Sequence, residues 1–264
     1  MANVRRERRP ALAAYARAAS PLVTRHEGLT ARTALEALGP LAHGAHLFVL
    51  SKGAVSAGDV LAWALEQTGD ADVLVSTWTI SPDEIRALKR LVDSGRIRTF
   101  RLLTDFSFGN RHPAYAALLR STFGTEAIAV TVCHAKVATV SNAAWALVVR
   151  SSANLNRNSR TEYHEVSDDR GLADFINETL GAWFPAAADA WAVPVAEHRR
   201  RFDAWGETGA PVALGAASPA AATPAVGGDH PRVSGPATAA DAAFFEAGPY
   251  GRDLRRVGLS YAKG

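Results

Sequence analysis

His134 and Lys136 are separated by one residue, and in an extended chain residues two apart project to the same side. An imidazole beside an ammonium group suits a phosphate: the lysine holds anionic oxygens while the ring attacks phosphorus or transfers a proton. The apolar run from Trp145 to Val149 leads into Arg150-Ser151-Ser152-Ala153-Asn154-Leu155-Asn156, where Ser152 and Asn154, again two apart, offer a hydroxyl and an amide, and Asn156 extends the set. Histidine and lysine at this spacing are common on solvated strand faces and carry little weight alone. A second polar pair after a second apolar strand makes the pattern specific. His134 and Lys136 are therefore candidate catalytic residues, with Ser152, Asn154 and Asn156 as candidate substrate-binding residues.

The elements that must position these groups alternate between short apolar runs and amphipathic helices. His46–Ser51, Ala71–Ile80 and Ile97–Phe106 read as strands, with helices around Asp59–Gln67, from Pro82 to about Ser94, and over Pro113–Phe123. Ser81 caps the second helix with Pro82 in its first turn, and Gly95 stops it. The stretch from Ala127 to Asn142, which holds His134 and Lys136, and the run from Trp145 to Leu155 read as successive strands with a turn near Ser141–Ala144. A strand over Thr161–Asp169 and a helix over Leu172–Phe184 follow. Such alternation predicts an α/β fold, a mixed and largely parallel sheet covered by helices on both faces. Ser51, Lys52, Thr77, Trp78 and Asp105 fall at or near strand ends, where open α/β sheets place their sites. Trp78 either stacks on a base or fills the core, and Cys133 faces away from His134 as a small core residue.

Here the chain resembles the phospholipase D superfamily, whose motif H-x-K-x4-D is followed by a small-residue turn and G-S-x-N. His134, Lys136, Ser152 and Asn154 match, Ser151 replaces the glycine, and the motif aspartate falls at Ser141 with Asn142 beside it. The resemblance spans about residues 45–185, a half-size module, and the segment from Ser151 to Val166 resembles single-motif members from bacteriophages and mobile elements. It places Glu162 where the family has an acidic residue near the catalytic histidine, and His164 two residues on shares that strand face. The resemblance implies a nuclease-type phosphodiesterase that needs no metal or cofactor: one histidine forms a phosphohistidine and another protonates the leaving oxygen. With one motif per chain, a homodimer must pair His134 with its symmetry mate. The family's aspartate supports the site by hydrogen bonding, so Ser141 is expected to weaken it. That substitution favours the alternative, a degenerate module that binds nucleic acid or a protein partner without cleaving. Lipid hydrolysis is disfavoured because no amphipathic membrane-binding stretch is present.

Composition bounds these readings. The 264 residues carry a net charge of only +3, but arginine is clustered at Arg5–Arg9, at Arg199–Arg201, expected to follow the folded region, and at Arg252–Arg256. Such clusters suit a polyanion such as DNA or RNA, or serve as solubilising surface. No apolar run approaches the roughly 18 residues of a membrane span, the N-terminus lacks an apolar signal segment, and the single Cys133 excludes intrachain disulfides, so a reducing cytoplasmic setting is expected. Four segments are expected: a basic N-terminal stretch 1–29, an α/β domain 30–207, an Ala/Pro/Gly-rich linker 208–240 and a peptide 241–264. The aromatic weight of that peptide fits docking on its own domain or on a protein partner.

Overall fold

The computed structural model describes residues 24–28, 32–53, 55–184 and 190–208. The expected linker, the C-terminal peptide and the Arg5–Arg9 and Arg252–Arg256 clusters lie outside the described residues. In chain order the elements are β1 (Thr24–Gly28), α1 (Ala34–Leu38), β2 (His46–Ser51), α2 (Ala57–Thr68), β3 (Ala71–Thr77), α3 (Pro82–Asp93), β4 (Ile97–Asp105), α4 (Phe108–Arg111) and α5 (Pro113–Phe123). The second half holds β5 (Ile128–Thr131), β6 (Val137–Ser141), β7 (Ala146–Ser151), β8 (Glu162–Asp168), α6 (Arg170–Gly181), a 3-10 turn at Ala190–Ala192 and α7 (Val195–Thr208). Among the described residues no helix is long and apolar enough to cross a membrane.

The eight strands form one sheet in the order β1-β2-β8-β7-β6-β3-β4-β5. Its pairings are parallel for β1 with β2, β3 with β4 and β4 with β5, and antiparallel for the other four, so only β6 and β8 run against the rest. The fold is thus α/β with a mixed sheet whose strands mostly share one direction. The antiparallel pairings arise because β6, β7 and β8 are joined without crossover helices, and short connections can only reverse the chain. β1 was not legible: its sequence TRHEG is polar throughout, and it is an edge strand inside the stretch expected to be a basic N-terminal segment.

Alternation along each strand divides the core. Val73 and Val75 of β3, Leu102 of β4, Val130 of β5 and Val149 of β7 pack beneath α2, α3 and α5 through Val60, Leu61, Ile85, Leu88 and Leu119. Leu74 and Val148 face the other way and pack against Ala173 and Ile176 of α6. Leu103, Ala129 and Cys133 meet Trp183 and, from α7, Phe202 and Trp205. Arg199–Arg201 therefore do not follow the folded region. They lie in α7, where Arg201 is buried with its guanidinium 5.0 Å over the Trp183 ring. The run VAEHRRRFDAWGET is too polar for its sparse apolar positions to have signalled a packed helix.

Capping follows the predicted chemistry. The Ser81 hydroxyl accepts from the Glu84 amide with Pro82 in the first turn, and Ser56 and Asp59 form a reciprocal capping box at α2, worth about 1 kcal/mol. Glu84 reaches across to accept from the Ser56 hydroxyl at 2.8 Å, and burial pushes its carboxyl above the usual range.

Candidate active site

Six strands point toward one end of the sheet, and the polar residues gather there: Ser51, Thr77, Asp105, Thr131 and Ser151 end β2, β3, β4, β5 and β7, while Val137 and Glu162 begin β6 and β8. His134 and Lys136 were expected within a strand. They lie instead in an irregular connection between β5 and β6. Because β3 and β4 separate those two strands, the chain must cross the ends of both, and residues from them replace the ladder. The Cys133 amide donates to Asp105 Oδ2 at 3.1 Å, and Ser76 Oγ, 3.0 Å from Cys133 Sγ, donates to the Ala135 carbonyl at 3.2 Å. Cys133 is buried, and burial raises its thiol pKa, whereas His134 on the opposite side is exposed.

The two-residue spacing still brings the pair together. Lys136 Nζ lies 3.3 Å from His134 Nδ1 and 3.4 Å from Nε2, and donates to the His134 carbonyl at 3.1 Å. The Lys136 carbonyl accepts from the Ser151 amide at 3.1 Å, tying this connection to the end of β7. Burial pushes the Lys136 ammonium below the usual lysine range, with Cys133 and Glu162 pulling the other way. Glu162 is fixed by two donors, the Ser152 hydroxyl and Asn158 Nδ2 at 3.1 Å, while Ser152 Oγ accepts from the Tyr163 amide at 3.0 Å.

Asn154 follows on the loop from β7. Its neighbour Leu155 donates to Thr77 Oγ1 at 3.3 Å and accepts from the Ser81 amide at 2.9 Å, so the loop lies along the end of β3. Asn154 Oδ1 is buried and accepts no hydrogen bond from the described residues. Asn156 closes a tight turn, its amide donating to the Asn154 carbonyl at 2.8 Å. Trp78 follows β3; its ring is 5.4 Å from that of His134 and carries the Arg111 guanidinium 3.7 Å over its face. Arg111 and Asn158 were not legible, because nothing in their spacing separates them from solvated loop polarity.

His164 does not reach solvent: it is wholly buried beneath Glu162. Its Nε2 donates to the Val55 carbonyl at 3.2 Å, and Nδ1 lies 3.1 Å from the Ser151 hydroxyl, whose single proton also has the Tyr163 carbonyl within reach at 3.1 Å. Burial holds its pKa below the usual histidine value. A neutral buried histidine stabilises fully above the unfolded value near 6.5, and that contribution is lost as pH falls through the lower native value. An NMR titration of the histidine ring protons is expected to give His164 a midpoint below 6.5, with chemical denaturation midpoints falling over the same interval.

Ser141 corrects an expectation. It lies at the far end of β6, opposite Asp72 of β3 and Ala146 of β7, and five residues of strand separate it from Lys136, about 17 Å at 3.4 Å per residue. It cannot support the His134 site by hydrogen bonding. Asn142 beside it organises the hairpin, accepting from the Ala144 and Trp145 amides and donating to the Thr68 and Asp70 carbonyls. Ser141→Asp is therefore expected to leave any cleavage rate unchanged. It should lower the melting temperature, because the new carboxylate is set directly across from Asp72.

No family model matches the chain, and no curated protein matches it. Among solved structures, the polyphosphate kinase from Porphyromonas gingivalis is similar at a TM-score of 0.39 and 13% identity, over 54% of this chain. The chain spans 27% of the length of that protein.

Proposed function

We propose that the protein is a metal-independent phosphodiesterase acting on nucleic acid, with His134 as nucleophile. The observation that carries this reading is the contact of the Lys136 ammonium with the ring of an exposed His134, at the end of the sheet where Ser152 and Asn158 fix Glu162. A ring nitrogen of His134 forms a bond to phosphorus as the bond to the leaving oxygen breaks, and that oxygen takes a proton from a second imidazole. Water then attacks phosphorus, the P–N bond breaks, and the water proton returns to the second imidazole. The products are an alcohol and a phosphate monoester. Lys136 and Asn154 are assigned to the phosphate oxygens, Ser152 and Asn156 to substrate positioning, and Glu162 to the electrostatics of the imidazole that must stay protonated. The second imidazole is the His134 of another copy in a two-fold dimer, since one chain carries a single motif.

The alternative, a degenerate module that binds nucleic acid or a protein partner without cleaving, is favoured by Ser141 in place of the family's aspartate, although Ser141 lies at the opposite end of β6 from Lys136. The test is incubation of the protein with labelled single- and double-stranded DNA and RNA in EDTA, beside His134→Ala. The expected result is cleavage that EDTA leaves intact and His134→Ala removes. A strict requirement for Mg²⁺ contradicts the mechanism, and a protein that sediments only as a monomer while cleaving contradicts the paired histidines.

A further inference from the structure

Resting on the phosphodiesterase reading, we propose that the strip formed by Trp78, Arg111, His112 and Tyr115 beside His134 is a track for single-stranded nucleic acid. The strip begins at the nucleophile, with the Trp78 ring 5.4 Å from the His134 ring. The centre of the Arg111 guanidinium sits 3.7 Å from the Trp78 ring centroid, held there by Nε donating to the Ser107 hydroxyl at 3.1 Å and Nη2 to the Trp78 carbonyl at 3.1 Å. Nη1 is outside both bonds and supplies a donor to a phosphate oxygen. Asp105, the carboxylate that positions this corner, is buried and engaged by Ser107 and the Cys133 amide, so it adds no exposed negative charge. The next residue along, His112, stacks on Tyr115 with centroids 5.2 Å apart and planes 8° from parallel, and Tyr115 is 37% exposed.

The Trp78–Arg111 contact beside His134 and the His112–Tyr115 stack that follows it in sequence combine what unpaired nucleotides require: π-faces for bases and a cation for the backbone. A duplex offers phosphates but keeps its base faces stacked on one another, so it gains nothing from Tyr115 or His112.

The test uses His134→Ala, so that binding is read without cleavage, and a fluorescent deoxythymidine dodecamer beside a duplex of the same length. The single strand is expected to bind more tightly than the duplex. Tyr115→Ala, a change at an exposed helix position that favours the helix, is expected to weaken single-strand binding by about 5–100-fold, with Tyr115→Phe restoring it. Arg111→Gln is expected to reduce the slope of log affinity against log salt by about one. Equal affinity for the duplex, or single-strand binding that Tyr115→Ala leaves unaltered, overturns the track. Hydrolysis of bis-nitrophenyl phosphate by the unsubstituted protein separates this from the chemistry. Hydrolysis with unaltered Tyr115→Ala binding refutes the track alone, and weakened binding without hydrolysis upholds the track and refutes the phosphodiesterase.

Discussion

His134→Ala is expected to lower phosphodiester cleavage by roughly 10⁴–10⁶-fold, the range for removing a nucleophile whose partners remain in place. The melting temperature should move by less than about 2 °C, because exposed side chains outside the core contribute little to stability. The ring is exposed, and among the described residues its polar contacts run to Lys136 alone. The backbone around it is held by Asp105, Ser76 and Ser151, none of which bonds the imidazole. Paired rate and thermal-unfolding measurements check both halves. A large loss of stability would mean that His134 organises the connection between β5 and β6, and the loss of rate would then say nothing about nucleophilicity.

Gly53→Ala is expected to be among the most damaging single-methyl changes in the chain. Gly53 has φ of 82°, and a Cβ there would lie 2.0 Å from the Asn158 carbonyl oxygen and 2.9 Å from Ser159 Cα, both backbone. Left-handed strain and overpacking against backbone each cost about 1–3 kcal/mol, which together lower the melting temperature by roughly 4–24 °C. The displaced segment also carries Asn158, a donor to Glu162, so the turnover number should fall beyond what the loss of folded protein explains. Gly44→Ala provides the comparison. Gly44 has φ of 72° but nothing within 4 Å of the added methyl, so only the strain of about 1 kcal/mol applies. Similar melting temperatures for the two variants would show that the close approach of Gly53 to Asn158 is not maintained in solution.

Much of the sheet was legible because local signals agreed with the tertiary ones. The apolar run from His46 to Ser51 is β2 with the expected bounds, and Ser81-Pro82 starts α3 where its capping chemistry requires. The two-residue spacing also placed Lys136 beside the His134 ring. What spacing could not show was the crossing. Apolar residues run almost continuously from Ile128 to Val140, so β5, the connection and β6 look like one extended stretch. Only the sheet order, which inserts β3 and β4 between them, forces the break that lifts His134 out of the ladder. The same reason hid the remoteness of Ser141: five residues in a motif look like adjacency, but in a strand they traverse the sheet. β1 and α7 escaped because both are polar, and each is held by tertiary pairing or packing rather than by its own propensity.

A nucleophilic His134 becomes covalently bonded to phosphorus, and trapping that intermediate is the most direct test of its role. The protein is mixed with an oligonucleotide labelled at the scissile phosphate, quenched in alkali, where phosphohistidine survives, and digested for peptide mapping. The predicted result is one labelled peptide containing His134, whose label is released by acid and absent from His134→Ala. Cleavage that proceeds with no alkali-stable label on the protein, or with the label on another residue, would contradict it.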